Sequence, residues 1–378
     1  MPADTGINPD IASRYHGHIP RGMSLRFGVW FFLNSVALVM AENTRTPPPY
    51  RETVLSDDYG PECHASNVIK TPDGALMAVW FSGAKEGADD VVIRFTRRDP
   101  QTREWSVPIT VADHQGIPCW NPVLVPAKDG SVTLYYKASK LIPEWQGFWK
   151  RSSDGGKTWT VAKKLPATFL GPIRCRALAL HDGSLLFGSS DESADKSLGN
   201  PWRPHFEILS HPGDPSDATA WQKIVPNPGE PPFNAIQPSV VLLPDGQLLA
   251  LLRTREKVVA QSTSRDLGRS WTPLKATSLP NPNSGLEAVV LSDGRVAAIL
   301  NHGTNRLTLD AVLRNEEGQW GQPLLLDQLK RGEGEVSYPS ALLDQQDGHE
   351  VMHVVYTRKR REIVLRTFDL RDAAWTAR

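Results

Sequence analysis

Six Asp-Gly pairs punctuate the chain, each between two short apolar runs: Asp73-Gly74, Asp129-Gly130, Asp182-Gly183, Asp245-Gly246, Asp293-Gly294 and Asp347-Gly348. The gaps between them are 56, 53, 63, 48 and 54 residues. An Asp-Gly step suits a tight hairpin, because both central residues tolerate positive φ. Six hairpins at a near-constant period predict a repeat architecture. A repeat fold fills 378 residues as one body, so length does not demand several domains.

Each unit reads as four strands. In the first, Ala65 to Ile69 leads into the Asp73-Gly74 turn and Ala75 to Phe81 leads out. Val91 to Thr96 follows, and Trp105 marks a fourth strand. The second unit repeats this with Asn121–Pro126, Ser131–Tyr136, Phe148–Ser152 and Trp159–Val161. Four strands in each of six units predict an all-β, six-bladed β-propeller. Tyr50 to Leu55 is the candidate strand for closing the ring, since pairing first and last segments leaves no open edge.

A second pattern lies between the third and fourth strands. Ser152 to Trp159 and Ser264 to Trp271 both read S-x-D-x-G-x-x-W, and Asn315 to Trp320 is a worn copy. The Asp can cap turn N–H groups, Gly takes positive φ, and Trp packs between neighbouring sheets. The motif is structural.

Composition excludes several functions. Forty-two basic and 42 acidic residues cancel, which argues against a nucleic-acid binder. Three cysteines are too few for a disulfide framework, and Cys63, Cys119 and Cys175 are each 56 residues apart, as equivalent core positions would be. No spacing points to a metal or an organic cofactor. Residues 1–41 read as an extension ahead of the propeller at 42–378. Within it, Met23 to Ala41 resembles a secretory signal peptide: Arg26, a 13-residue apolar stretch from Phe27 to Val39, and small residues before a cleavage point at Ala41. The expectation is an exported protein with no stable membrane partner.

The two full S-x-D-x-G-x-x-W copies within a six-fold repeat resemble the Asp-box (bacterial neuraminidase repeat) sialidases and sialidase-like propellers, over about residues 55–378. The resemblance implies a funnel at one end of the central axis, with the Asp boxes at the other. Active-face residues then come from the start of each first strand and from the loop after each second strand. Nine residues before each hairpin Asp stand His64, Trp120, Ile236, Ser284 and Tyr338, with Ile173 or Arg174 in unit three. The second-strand loops add Lys85, Glu86, Asp89 and Asp90, then Lys137, Asp191, Glu192, Arg253, Arg255, His302 and Arg306. Converging arginines suit an anionic ligand.

Sialidases hold a substrate carboxylate with three arginines and attack with a tyrosine assisted by a glutamate, while an aspartate acts as acid/base. Val336 to Ser340 resembles the nucleophile segment, so Tyr338 matches the tyrosine. Leu251 to Thr254 and Asn301 to Arg306 resemble two arginine segments, so Arg253 and Arg306 match. Asp90, with Asp89 beside it, falls in the acid/base loop. The first arginine is replaced by His64, which could hold a carboxylate only if protonated. The assisting glutamate is missing from Asn234 to Gln237, and Glu287 or Glu335 is the substitute. Arg174 and Arg176 alternate on one strand, either reaching the funnel or bridging blades. The basic run Arg358 to Arg361 follows the second strand of unit six, as a solvated turn or a patch for acidic glycans.

Three functions fit. The first is an exo-acting glycosidase of sialidase type that removes a terminal acidic sugar. The second is a propeller hydrolase or lyase acting on another acidic sugar such as a uronic acid. The third is a non-catalytic glycan-binding propeller.

Overall fold

Alternating apolar strands separated by turn residues assemble here into six antiparallel four-stranded sheets. The computed structural model describes residues 45–195, 197 and 201–376. The signal-peptide expectation at residues 23–41 lies outside the described residues.

Blade I holds β2 (Glu62–Lys70), β3 (Leu76–Gly83), β4 (Val92–Arg98) and β5 (Ile109–Ala112). Blade II holds β6 (Cys119–Pro126), β7 (Val132–Ala138), β8 (Gln146–Ser152) and β9 (Lys163–Lys164). Blade III holds β10 (Leu178–Ala179), β11 (Leu185–Glu192), β12 (Trp202–Leu209) and β13 (Trp221–Ile224). Blade IV holds β14 (Ala235–Leu242), β15 (Leu248–Thr254), β16 (Val258–Ser264) and β17 (Lys275–Pro280). Blade V holds β18 (Glu287–Val290), β19 (Val296–Leu300), β20 (Thr308–Arg314) and β21 (Trp320–Gln328). Blade VI holds β22 (Val336–Gln346), β23 (His349–Arg358) and β24 (Glu362–Asp369), and β1 (Tyr50–Val54) supplies its outer strand. That is the expected closing strand, paired from Tyr50 opposite Phe368 to Val54 opposite Val364. Arg366 reinforces it by donating to Glu52 at 2.7 Å and lying over the Tyr50 ring.

Two strand assignments shift. Trp105 forms only an isolated bridge to Arg98, and the fourth strand of blade I begins later, at Ile109. In blade II, Trp159 belongs to the turn and the fourth strand is Lys163–Lys164. In both cases the indole is held by packing rather than by ladder hydrogen bonds.

The Asp-Gly hairpins are of two kinds. In five blades the strands separate by five residues, as between Lys70 and Leu76, and the Asp keeps negative φ. There the Gly N–H bonds three residues back and the Asp carboxylate accepts from the N–H two residues on, as Asp73 does from Ala75. Only Asp347-Gly348 forms the two-residue turn with both φ values positive, +51° and +80°.

The Asp boxes act as the sequence implied. In blade II, Asp154 accepts from the Thr158 N–H at 2.9 Å, and Ser152 accepts from the Gly156 N–H at 2.8 Å. Trp159 then meets Phe95 of blade I edge-on, and Trp271 stacks on Phe206 of blade III at 3.8 Å. Each box joins its blade to the one before. Arg269 of the second box pairs with Asp182, and Arg265 with Asp245, so boxes and hairpins share one face.

The three cysteines are buried, and burial pushes the Cys63 and Cys119 thiols up to about 12. They are packing residues, as their spacing suggested. Gly156 is one position where the geometry requires glycine: its φ is +87°, and a Cβ there would lie 2.3 Å from the Phe95 ring. Gly156→Ala is expected to lower stability by about 2 to 3 kcal/mol. An unshifted urea midpoint for this variant would mean the box is not a joint between blades.

Candidate active site

The first strands do not run straight to the mouth of the channel. In blades I, II, IV and VI the pairing with the second strand skips two residues: Ala65-Ser66, Asn121-Pro122, Gln237-Pro238 and Tyr338-Pro339. The first residue of each pair has positive φ, +54°, +41°, +55° and +57°, and Arg174 repeats this in blade III at +68°. Non-glycine residues rarely adopt this conformation, and a bulge of this kind re-aims a side chain. Proline suits its second position, where no ladder donor is needed.

This corrects one expectation. His64 and Tyr338 are not equivalent positions. His64 corresponds to Trp120, Ile236 and Ser337, the last paired residues before the bulge, whereas Tyr338 corresponds to Ala65, Asn121 and Gln237. The count back from the Asp slips by one in blade VI because its first strand pairs further beyond the bulge, from Ser340 to Gln346 rather than over four residues as from Asn67 to Lys70, which outweighs its shorter hairpin.

The bulge residues and the second strands converge on Tyr338. Tyr338 is 8% exposed and its ring packs at a tilt against His64, with ring centroids 4.1 Å apart and planes 44° from parallel. The guanidinium carbons of Arg174, Arg253 and Arg306 lie 5.7, 5.6 and 5.7 Å from the Tyr338 ring centroid. Arg253 donates from Nη1 to the phenol oxygen, and from the same nitrogen to Gln237 Oε1 at 3.3 Å. Five predicted residues therefore meet: Tyr338, His64, Arg253, Arg306 and Arg174.

Arg174 is fully buried. Its Nη1 donates to the Pro339 carbonyl in blade VI at 2.5 Å, so it crosses from blade III to the opposite side of the ring. Its segment is pinned from two sides. Lys137 donates to the Pro172 carbonyl, and Glu207 accepts from the Leu170 and Gly171 N–H groups at 3.0 and 2.7 Å. Lys137 is thus not a charge at the mouth: it is buried, and desolvation pushes its pKa down to about 7. Arg176 lies apart, lining a pocket with Ile69, Lys70 and Leu342.

The other predicted residues are placed elsewhere. Asp90 accepts from the Ala84 N–H with both oxygens at 3.1 Å, closing its own loop. Asp89 is exposed and sits 3.3 Å from Lys140. Glu287 is buried, accepting from Ser239 Oγ at 2.5 Å, where its charge acts on Arg174. Among the described residues, none of these three hydrogen-bonds to Tyr338. Glu335 accepts from Arg360 Nε at 2.7 Å, Ser337 Oγ at 2.8 Å and Arg306 Nη1 at 3.2 Å. Burial would raise its pKa, but Arg360 and Arg306 overcome this and hold it low.

Two groups carry more than sequence reasoning gave them. Glu192, at the end of β11, has its pKa raised by burial against the opposing charges of Arg253 and Arg255. Gln237 stands by the phenol where the resemblance called for a glutamate. The repeated Asn-Pro, Gln-Pro and Tyr-Pro steps are a sequence signal for these bulges. No group of His, Cys, Asp or Glu among the described residues could hold a metal ion.

A ring of six four-stranded sheets with arginines and a tyrosine at one mouth defines a sialidase-like propeller. The chain belongs to the BNR repeat-like domain family, whose model matches residues 74–353. No curated protein matches it. A protein of unknown function from Dyadobacter fermentans is similar in structure, with a TM-score of 0.66 and 17% identity over 86% of this chain and 98% of that one. Trypanosoma rangeli sialidase gives a TM-score of 0.63 and 12% identity over 88% of this chain, which spans 61% of that enzyme. NanB sialidase from Streptococcus pneumoniae gives 0.62 and 13% over 86% of this chain and 71% of that one. At these identities the likeness is one of fold.

Burial first, and then Arg360, Arg306, Arg253 and Arg174, push the pKa of His64 well below its usual value. His64 is therefore a neutral ring, not a cation for a carboxylate. The unfolded chain takes up a proton at His64 near pH 6.5 that the folded chain refuses, so stability falls as pH drops below that value. The loss approaches about 1.4 kcal/mol per pH unit. His64→Gln should flatten the decline in melting temperature between pH 7 and 5. Equal slopes in wild type and variant would mean His64 is protonated in the native state.

Proposed function

We propose that the protein is an exo-acting glycosidase that removes a terminal sugar bearing a carboxylate. One observation carries this reading: three guanidinium groups surround the Tyr338 phenol at 5.6–5.7 Å. An anion next to the phenol is what such a cluster suits, because guanidinium-carboxylate hydrogen bonds are strong and directional. Trypanosoma rangeli sialidase has been captured with sialic acid and, with 2,3-difluorosialic acid, as a covalent intermediate.

In this reading Arg253 and Arg306 hold the carboxylate, with Arg174 fixed behind them. Tyr338 attacks the anomeric carbon. Arg253, already donating to the phenol oxygen, stabilises the negative charge that develops there as the phenol proton leaves to water, while His64 packs against the ring as a neutral group. Glu192 gives its proton to the leaving oxygen, then takes one from the water that releases the sugar. Asp90, the acid expected from the resemblance, is the competing assignment. An exported enzyme would meet such glycans outside the cell, and N-terminal sequencing of the mature protein tests cleavage after Ala41.

Elimination is a second reading, favoured by one contrast. The phenol has a neutral histidine against it and Gln237 where a carboxylate was expected. With the carboxylate of a uronic acid neutralised by arginine, one group of the pair removes the adjacent carbon-bound proton and the other protonates the departing oxygen. The product carries a conjugated double bond and absorbs in the ultraviolet.

Fluorogenic sialosides and uronides are the first substrates to test. Tyr338→Phe should cut kcat roughly a thousandfold or more while ligand binding persists. Arg306→Ala should raise KM roughly 10- to 100-fold. Glu192→Gln should remove the basic limb of the pH-rate profile, while Asp90→Asn leaves that limb in place; the reverse pattern returns the acid role to Asp90. Binding without turnover of any substrate by the wild type would identify a glycan-binding propeller instead.

A further inference from the structure

Next to the phenol, blades V and VI form a cleft of about 650 Å3. It is lined by Arg306, Arg331, Glu335 and Arg360, with Asn305 and Gly334 on its walls. Arg306 belongs to both places, since its guanidinium also lies 5.7 Å from the Tyr338 ring.

The backbone holds the cleft open. The Val336 N–H donates to the Arg306 carbonyl at 2.9 Å, and the Lys359 N–H donates to the Glu335 carbonyl at 2.7 Å. A Cβ at Gly334 would lie 3.0 Å from Lys359 Cα, so the turn carrying Arg331 is clasped against the turn carrying Arg360. The Arg360 carbonyl accepts from the Cys63 N–H at 2.8 Å, tying that second turn to blade I.

Charge in the cleft is not balanced. Glu335 is used by Arg306, Arg360 and Ser337. Glu86 holds the other side of Arg360 at 2.6 Å. Glu333 accepts from the Lys330 N–H in its own turn. Arg331 is exposed and, among the described residues, makes no hydrogen bond or ion pair, and the exposed Lys359 lies against Gly334 of the same turn. The basic run in blade VI therefore divides. Arg358 is structural, paired with Glu52 and Glu362, whereas Arg360 builds the cleft wall.

We infer that this cleft is a second anion subsite, in which Arg331 takes an acid group on the sugar unit next to the one held at Tyr338. The inference rests on the proposed function and narrows it to glycans with acid groups on adjacent units. The spare cation lies one cleft away from the three arginines at the phenol, so a single-acid sugar leaves it unused.

The test compares sialyllactose with disialyllactose, and galacturonic acid with its dimer, at low and physiological salt. The wild type should show a lower KM for the two-acid member of the pair it turns over. That advantage should shrink at higher ionic strength, because exposed charges are screened. Arg331→Ala should reduce the advantage roughly 5- to 10-fold, and Arg331→Glu should abolish it, with the single-acid member unchanged. An advantage that survives Arg331→Glu, or no advantage in the wild type, overturns the subsite. If neither pair is turned over, the glycosidase reading fails separately, and calorimetric titration of the same ligands decides the subsite. A loss of affinity in Arg331→Glu confined to the two-acid ligands supports it, and equal affinities overturn it.

Discussion

The mouth of this propeller depends on a backbone conformation that L-residues avoid. Ala65, Asn121, Arg174, Gln237 and Tyr338 all have positive φ at the start of their blades. Each such residue costs of order 1–3 kcal/mol unless its surroundings impose it. Here the surroundings are the ladder on the far side of the bulge and the neighbouring blade. The strain has a geometric use: it takes a residue out of the alternation of the strand and turns its side chain toward the axis. Tyr338, Gln237 and Arg174 meet only because three separate blades make the same unfavourable turn.

Electrostatics then decides what such a mouth can hold. Arg174, Arg253, Arg306 and Arg360 all act on His64 and leave it neutral. Two carboxylates answer part of that charge, Glu335 between Arg306 and Arg360 and Glu287 beneath Arg174. Among the described residues the guanidinium of Arg253 hydrogen-bonds to a phenol and an amide and to no carboxylate, and Glu192 feels its charge without bonding to it. A buried cation not hydrogen-bonded to an acid is costly for the apo protein and favourable for an arriving anion. The same field favours a neutral histidine and disfavours any arrangement that needs His64 charged.

Much of this was legible in the chain. The Asp-Gly period predicted six hairpins, and the S-x-D-x-G-x-x-W copies predicted the joints between blades, because both patterns encode local backbone requirements. The resemblance brought Tyr338, Arg253 and Arg306 to one place, and the structure groups them with Arg174 and His64. What sequence could not give was register. Counting from the hairpin Asp assumes equal strands and turns, and blade VI has a longer paired strand ending in a shorter turn, so Tyr338 was aligned one residue off. Side-chain direction was equally hidden: Asp90 looked free to act, yet its oxygens close the Ala84 turn. Arg360 was hidden within a basic run whose members have different partners.

Arg174 has a consequence for traffic through the molecule. It spans the ring from Cys175 in blade III to the Pro339 carbonyl in blade VI, and Gly285 of blade V lies against it. A buried cation tied to both sides of the ring is an obstacle on the axis behind the phenol. In the proposed glycosidase, the grip that admits a sugar acid would also govern how long the released sugar lingers, with product departure competing against the next arrival at the phenol.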